Sequence, residues 1–156
     1  MTTTSSPPSQ NRGIDAGLLL LRIGIALPLF LLFGLQKLQA GWAFLHTGQW
    51  EFVEFNRKIG LPAPVLIAWF QALNESLVAL LLACGLFSRY AAAALAIGFA
   101  GATACSLKAS EPAWMTAAFF FVVFASLLLT GPGNLSLDAL LNSKTASRVD
   151  APSTAK

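Results

Sequence analysis

Trp69-Phe70-Gln71-Ala72-Leu73-Asn74-Glu75-Ser76-Leu77-Val78-Ala79-Leu80-Leu81-Leu82 is apolar enough to cross a bilayer, yet it carries a carboxylate near its middle. An ionisable side chain at that depth costs several kcal/mol unless it faces protein or trapped water, finds a partner, or stays protonated. Gln71 and Glu75 are four positions apart, so on a helix they share a face, and Asn74 lies beside them. Such a polar seam must point into a bundle. The stretch therefore predicts a membrane helix whose rotation is fixed by Glu75, and the remaining chain is read as what surrounds that residue.

Composition agrees. Of 156 residues, 56% are hydrophobic and 11% charged, against roughly a quarter charged in soluble domains. The length allows one compact unit. A net charge of +3 with scattered basic residues argues against nucleic acid as a partner.

Outward from the seam, Ala63–Phe87 reads as the second of four spans. Before it, Ala16–Leu35 is interrupted only by Arg22 and is about the length a bilayer requires. It is too long for the apolar core of a signal peptide, so an uncleaved helix is expected, kinked at Pro28. Gln36–Leu61 reads as a long polar connection, within which Gln49–Lys58 is an amphipathic helix in the membrane interface. Gly60-Leu61-Pro62-Ala63-Pro64 ends it, with proline in the first turn of the next helix.

Ser88-Arg89 is expected to turn the chain into the third span, Tyr90–Leu107. There Ala94, Gly98 and Ala102 form a small-residue face for internal packing or dimerisation. Ser110-Glu111-Pro112 reads as the cap of the fourth span, Ala113–Leu129, which stops at Thr130-Gly131-Pro132-Gly133. A short surface helix is expected over Ser136–Leu141. The expected organisation is an all-α integral membrane four-helix bundle over residues 14–141, between disordered tails at 1–13 and 142–156.

Four spans place both termini on one side. Arg12, Arg89, Lys144, Arg148 and Lys156 on that side, against Lys37, Arg57, Lys58 and Lys108 on the other, favour cytoplasmic termini.

Arg22 and Glu75 are the two charges inside the predicted spans, and they are expected to face one interior site with Gln71 and Asn74. The functional reading is a proton or ligand site; the alternative is a polar clasp that only packs helices. Cys84 and Cys105 fall near opposite ends of antiparallel spans, roughly 20 Å apart at 1.5 Å per residue. That is too far for a disulfide, so both read as buried small hydrophobes. His46 alone makes no haem or metal site. Trp42, Phe44, Trp50, Phe52 and Phe55 read as an interfacial anchor, with a roof over a quinone-like ligand as the alternative. With no phosphate loop, nucleophile elbow or paired carboxylates, any enzymatic activity would need a borrowed cofactor or subunit.

Several of these stretches, taken in order, resemble the DoxX family of small four-helix membrane proteins. They are Leu19-Leu20-Leu21-Arg22-Ile23-Gly24, Phe33-Gly34-Leu35-Gln36-Lys37-Leu38, Gly60–Pro64, and Glu75 followed by Cys84-Gly85-Leu86-Phe87-Ser88-Arg89. Gly131-Pro132-Gly133-Asn134-Leu135-Ser136-Leu137-Asp138 completes the set. The resemblance implies a bacterial inner-membrane protein acting as a subunit of a quinone- or thiol-linked redox complex, with a partner redox protein or a second copy. It directs attention to Arg22, Gln36, Lys37, Glu75 and Arg89. Many relatives carry a histidine just before the glycine at the position of Phe33, and its absence puts a shared ligand role at that corner in doubt. Transport or binding of a small solute or proton, and a non-catalytic anchor for partner proteins, are the competing readings.

Overall fold

Leu35–Thr47 has no proline to break a helix, and its first strong stop is Gly48, at φ +67°. The first helix accordingly runs on far past the expected connection. In the computed structural model, which describes residues 8–131, 133 and 136–138 (8–12 by backbone alone), α1 (Pro8–Leu29) passes through a π-helical segment, Phe30–Gly34, into α2 (Leu35–Thr47). At 1.5 Å per residue this continuous helix is about 60 Å long, so it projects beyond the ~30 Å hydrocarbon layer. Pro28 does not break it; the irregularity is taken up by the π segment that follows. Two expectations are corrected here. The tail expected to be disordered is helical from Pro8, and the polar connection is reduced to the stretch around α3 (Glu51–Lys58).

α3 forms because Glu51 and Glu54 in its first turn and Arg57 and Lys58 in its last complement the helix dipole. It buries Val53 and Asn56, and the Asn56 amide donates to the Pro64 carbonyl at 3.2 Å. Trp50, just before it, is buried with Val53, Ala68 and Ala72, its ring 5.4 Å from that of Trp69. Trp50 is thus a core residue rather than an interfacial anchor; Trp42, on the outer surface of α2, remains exposed.

The second span is α4 (Pro64–Leu73), a second π segment Asn74–Val78, and α5 (Ala79–Cys84). It runs antiparallel to the first, so α1 packs on α5, the two π segments on each other, and α2 on α4. Gly85, at φ +72°, ends α5, and the turn lies at Gly85–Phe87, because Ser88 already belongs to α6 (Ser88–Lys108). α7 (Trp114–Thr130) starts after Ala113 with no side-chain cap, not at Ser110, which takes a left-handed φ of +56°. α6 and α7 pack along most of their length, with Phe99, Phe120 and Phe124 stacked at 4.9–6.0 Å between centroids.

Three of the helices are long and apolar enough to cross a bilayer, and α7 is a shorter apolar helix of 17 residues, at the lower limit of about 17 for a span. Leu20, Leu66, Ile97, Phe119 and Leu129 are exposed on the outside of the bundle, where lipid covers them. The chain is a multi-pass, all-α membrane protein. Among the described residues there is no strand. Leu137 and Asp138 are helical, but the remainder of the helix expected over Ser136–Leu141, with the carboxy-terminal tail, lies outside the described residues.

Candidate functional site

Asn74, Glu75 and Ser76 are consecutive, polar and all buried, at 2%, 2% and 0% exposure. The π-helical winding of this segment presents all three inward, and each finds a different neighbour. Asn74 Nδ2 donates to the Ala94 carbonyl of α6 at 3.1 Å. Ser76 Oγ donates back to the Ala72 carbonyl at 2.6 Å. Glu75 Oε1 accepts from Lys37 Nζ of α2 at 2.5 Å and from Gln71 Nε2 at 2.6 Å. Among the described residues no donor reaches Glu75 Oε2.

Lys37 reaches Glu75 because the two π segments meet with almost no space between them. A methyl group at Gly34 would lie 2.5 Å from the Glu75 carbonyl oxygen. The Lys37 ammonium also sits 4.9 Å from the Phe52 ring centroid, a cation–π distance. Its side chain is 24% exposed, that of Glu75 3%.

Two clefts flank this pair. The first, about 290 Å³, lies among α3, α4 and α6. Phe52, Phe55, Phe70 and Ile97 line it, and Gln71 and Gly98 lie within its wall. Phe70 and Ile97 are exposed, so it opens toward lipid. The second, about 380 Å³, is more polar and is lined by Gln36, Lys37, Gln49, Glu51 and the other side of Phe52. Glu75 thus meets one cleft through Gln71 and the other through Lys37, with Phe52 between them.

The structure therefore divides the predicted sites. Gln71, Asn74 and Glu75 are together, joined by Lys37; Gln36 is exposed at the mouth of the polar cleft. Arg22 does not meet Glu75. Its guanidinium lies against Gly85, where an added methyl would be 2.8 Å from Nη1. That is ten residues, or about 15 Å of helix, from Glu75. Arg89 is exposed, its guanidinium over Gly131. Sequence reading missed the Lys37–Glu75 pairing because it placed Lys37 in a connection. The available signal was the absence of proline between Leu35 and Gly48. Both thiols are free. Cys84 is exposed rather than buried, and Cys105 lines the apolar cleft. Exposed His46 packs edge-on to Trp42. Among the described residues no cluster of His, Cys, Asp and Glu is suited to a metal.

A family model described as DoxX matches residues 17–108. This chain belongs to the DoxX family. No curated protein and no solved structure matches it. The matched DoxX region contains every residue of the Lys37–Gln71–Glu75 site and both clefts' helices through α6.

At the end of this DoxX bundle where Arg22 lies, Asp138 returns to the turn at Gly85–Phe87. Its carboxylate accepts from the backbone N–H groups of Phe87 (2.8 Å) and Ser88 (2.9 Å), capping α6 from outside. Phe87 holds a left-handed φ of +49°, a conformation costing roughly 1–2 kcal/mol. Burial pushes the Asp138 carboxyl up, but the Ser88 and Phe87 N–H groups and the Arg22 charge outweigh it, so the group sits below its ordinary value. A carboxyl depressed on folding contributes stability above its unfolded pKa and loses it as pH falls through the folded one. Asp138→Ala is expected to cost about 1 kcal/mol, as other cap removals do. In detergent-resistance or thermal-unfolding series, the difference from wild type holds between pH 8 and 5 and closes only below about pH 4.

Proposed function

We propose that this chain is the membrane subunit of a redox assembly in the bacterial inner membrane, taking a lipid-soluble carrier of the quinone class into the apolar cleft beside Gln71. The observation that carries the reading is the position of Glu75: buried, bonded to Gln71 on the apolar side and to Lys37 on the polar side. The cleft suits such a group, with aromatic rings of Phe52, Phe55 and Phe70 around a space close to the ~300 Å³ at the lower end of ligand sites.

When bound, the carrier supplies reversible electron acceptance, with electrons exchanged with a partner protein. The chain's own residues do the rest. The phenylalanines exclude water and align a flat ring. Gln71 fixes the polar edge of that ring and, donating from Nε2, holds the Glu75 carboxyl beside it. Glu75 holds a proton at a carboxyl oxygen. In quinone reduction, with electrons from the partner protein, that proton departs toward the carrier, Lys37 stabilises the carboxylate left behind, and the proton is replaced from the polar cleft. Buried acids joined to two compartments are suited to this role.

The test is the assembly purified in mild detergent with its partners and assayed for quinone reduction. Glu75→Gln, which keeps the shape and the hydrogen-bonding capacity, is expected to lower turnover by about 10²–10⁴-fold, the range for loss of a general acid–base group. Assembly should be intact. Unchanged turnover removes Glu75 from the mechanism.

A further inference from the structure

The apolar cleft contains two buried amides, and both are turned the same way. Gln71, 6% exposed, directs Nε2 to Glu75 Oε1 at 2.6 Å. A carboxylate paired with lysine only accepts, so the amide nitrogen must face it. Asn56, 2% exposed, directs Nδ2 to the Pro64 carbonyl at 3.2 Å, and a carbonyl likewise only accepts. Among the described residues, neither Gln71 Oε1 nor Asn56 Oδ1 receives a hydrogen bond.

Gln71 lines the cleft beside Gly98, whose missing Cβ makes room for the Asn74 amide and leaves Gln71 Oε1 3.1 Å from that position. Each amide thus presents its oxygen as an acceptor, together with one uncommitted N–H of its NH2, to a space otherwise lined mainly by hydrocarbon. A quinone can take that N–H but leaves the oxygen unmet, whereas a hydroxyl satisfies it. Ser106 can donate or accept and so does not discriminate, and it lies about 12 Å along α6 from Gly98.

We propose that the cleft recognises the hydroxyl-bearing form of an aromatic carrier, a hydroquinone or phenol that donates to Gln71 Oε1, in preference to the quinone that only accepts. This deepens the reading above and rests on it. A buried acceptor left without a donor is penalised, and the quinone's own oxygens would face it without a proton between them. The hydroxyl form satisfies the acceptor and places its O–H one amide away from Glu75.

The experiment is calorimetric titration of the full chain in lipid nanodiscs, under anaerobic conditions, with tetramethylhydroquinone, its dimethyl ether and tetramethylquinone. The hydroquinone is expected to bind about tenfold tighter than either of the others, the effect of one neutral hydrogen bond. Gln71→Met should level the three affinities. Gly101→Leu should abolish binding of all three, because Gly101 lines the cleft and has open space at its Cβ position, so leucine fills the cleft without a clash. The same nanodiscs carrying Gly101→Leu give the baseline for partition into lipid.

Equal affinities, a preference for the quinone, or a hydroquinone preference that survives Gln71→Met overturns the proposal while leaving the cleft as a ligand site. Binding of none of the three, or binding unaffected by Gly101→Leu, overturns the cleft reading and the proposal together.

Discussion

Lys37→Met is expected to destabilise the bundle by about 3–5 kcal/mol, the cost of removing one partner of a buried ion pair. The Glu75 side chain is 3% exposed, and with Lys37 gone its carboxylate keeps only the Gln71 amide, with no opposing charge. The reciprocal change is milder. Glu75→Gln leaves Lys37, which is 24% exposed and lines the polar cleft, so its ammonium can turn outward on its flexible stem. About 1–2 kcal/mol is expected for that variant, mainly from a less well satisfied donor. The asymmetry is itself diagnostic, and unfolding by sodium dodecyl sulfate titration in mixed micelles reads it. A merely superficial contact would give two small and similar losses.

Gly34→Val is expected to prevent assembly, and Gly34→Ala to cost about 2–3 kcal/mol, toward the upper part of the range for overpacking. The atoms that a Cβ at residue 34 would meet are the Glu75 carbonyl oxygen at 2.5 Å, its carbon at 2.9 Å and the Ser76 Cα at 3.0 Å. All are backbone, so no side-chain rotation relieves the contact, and the two π segments must separate. Their separation carries Lys37 away from Glu75, so the same substitution should mimic the loss of the ion pair. Gly24→Ala provides the control, since nothing lies within 4 Å of its Cβ position; there alanine should lose no stability. Size-exclusion profiles and thermal unfolding in detergent separate these outcomes.

The part of this structure legible in the sequence is the part governed by hydropathy and by one expensive residue. Apolar length placed four spans, and the depth of Glu75 required that its face turn inward with Gln71 and Asn74. The small-residue face of α6 was legible as a close-packing surface but not in its partner. In the structure Gly98 receives Gln71 and Asn74 of the second helix, so the packing at this point is internal. What hydropathy did not convey was the continuation of the first helix. Gln36, Lys37 and Gln39 make its α2 half look like a loop, although α2 contains only one weak breaker, Gly41, before Gly48. Arg22 and Glu75 read as one interior site only because both are the lone charges within the apolar stretches. The antiparallel register instead brings Arg22 to Gly85 and Lys37 to Glu75. Long-range pairings of this kind depend on register between helices, for which a single sequence holds little signal. Asp138 is the same case: its capping of Phe87 and Ser88 joins residues about fifty positions apart.

The claim on which the account depends is that Lys37 and Glu75 form one interior unit. Its most direct test is the coupling between Lys37→Met and Glu75→Gln in a double-substitution cycle of unfolding free energy. The pair predicts a coupling of about 2 kcal/mol or more, with the doubly substituted chain more stable than Lys37→Met alone. Losses that add within about 0.5 kcal/mol would mean that the two groups do not sense each other, and would contradict it.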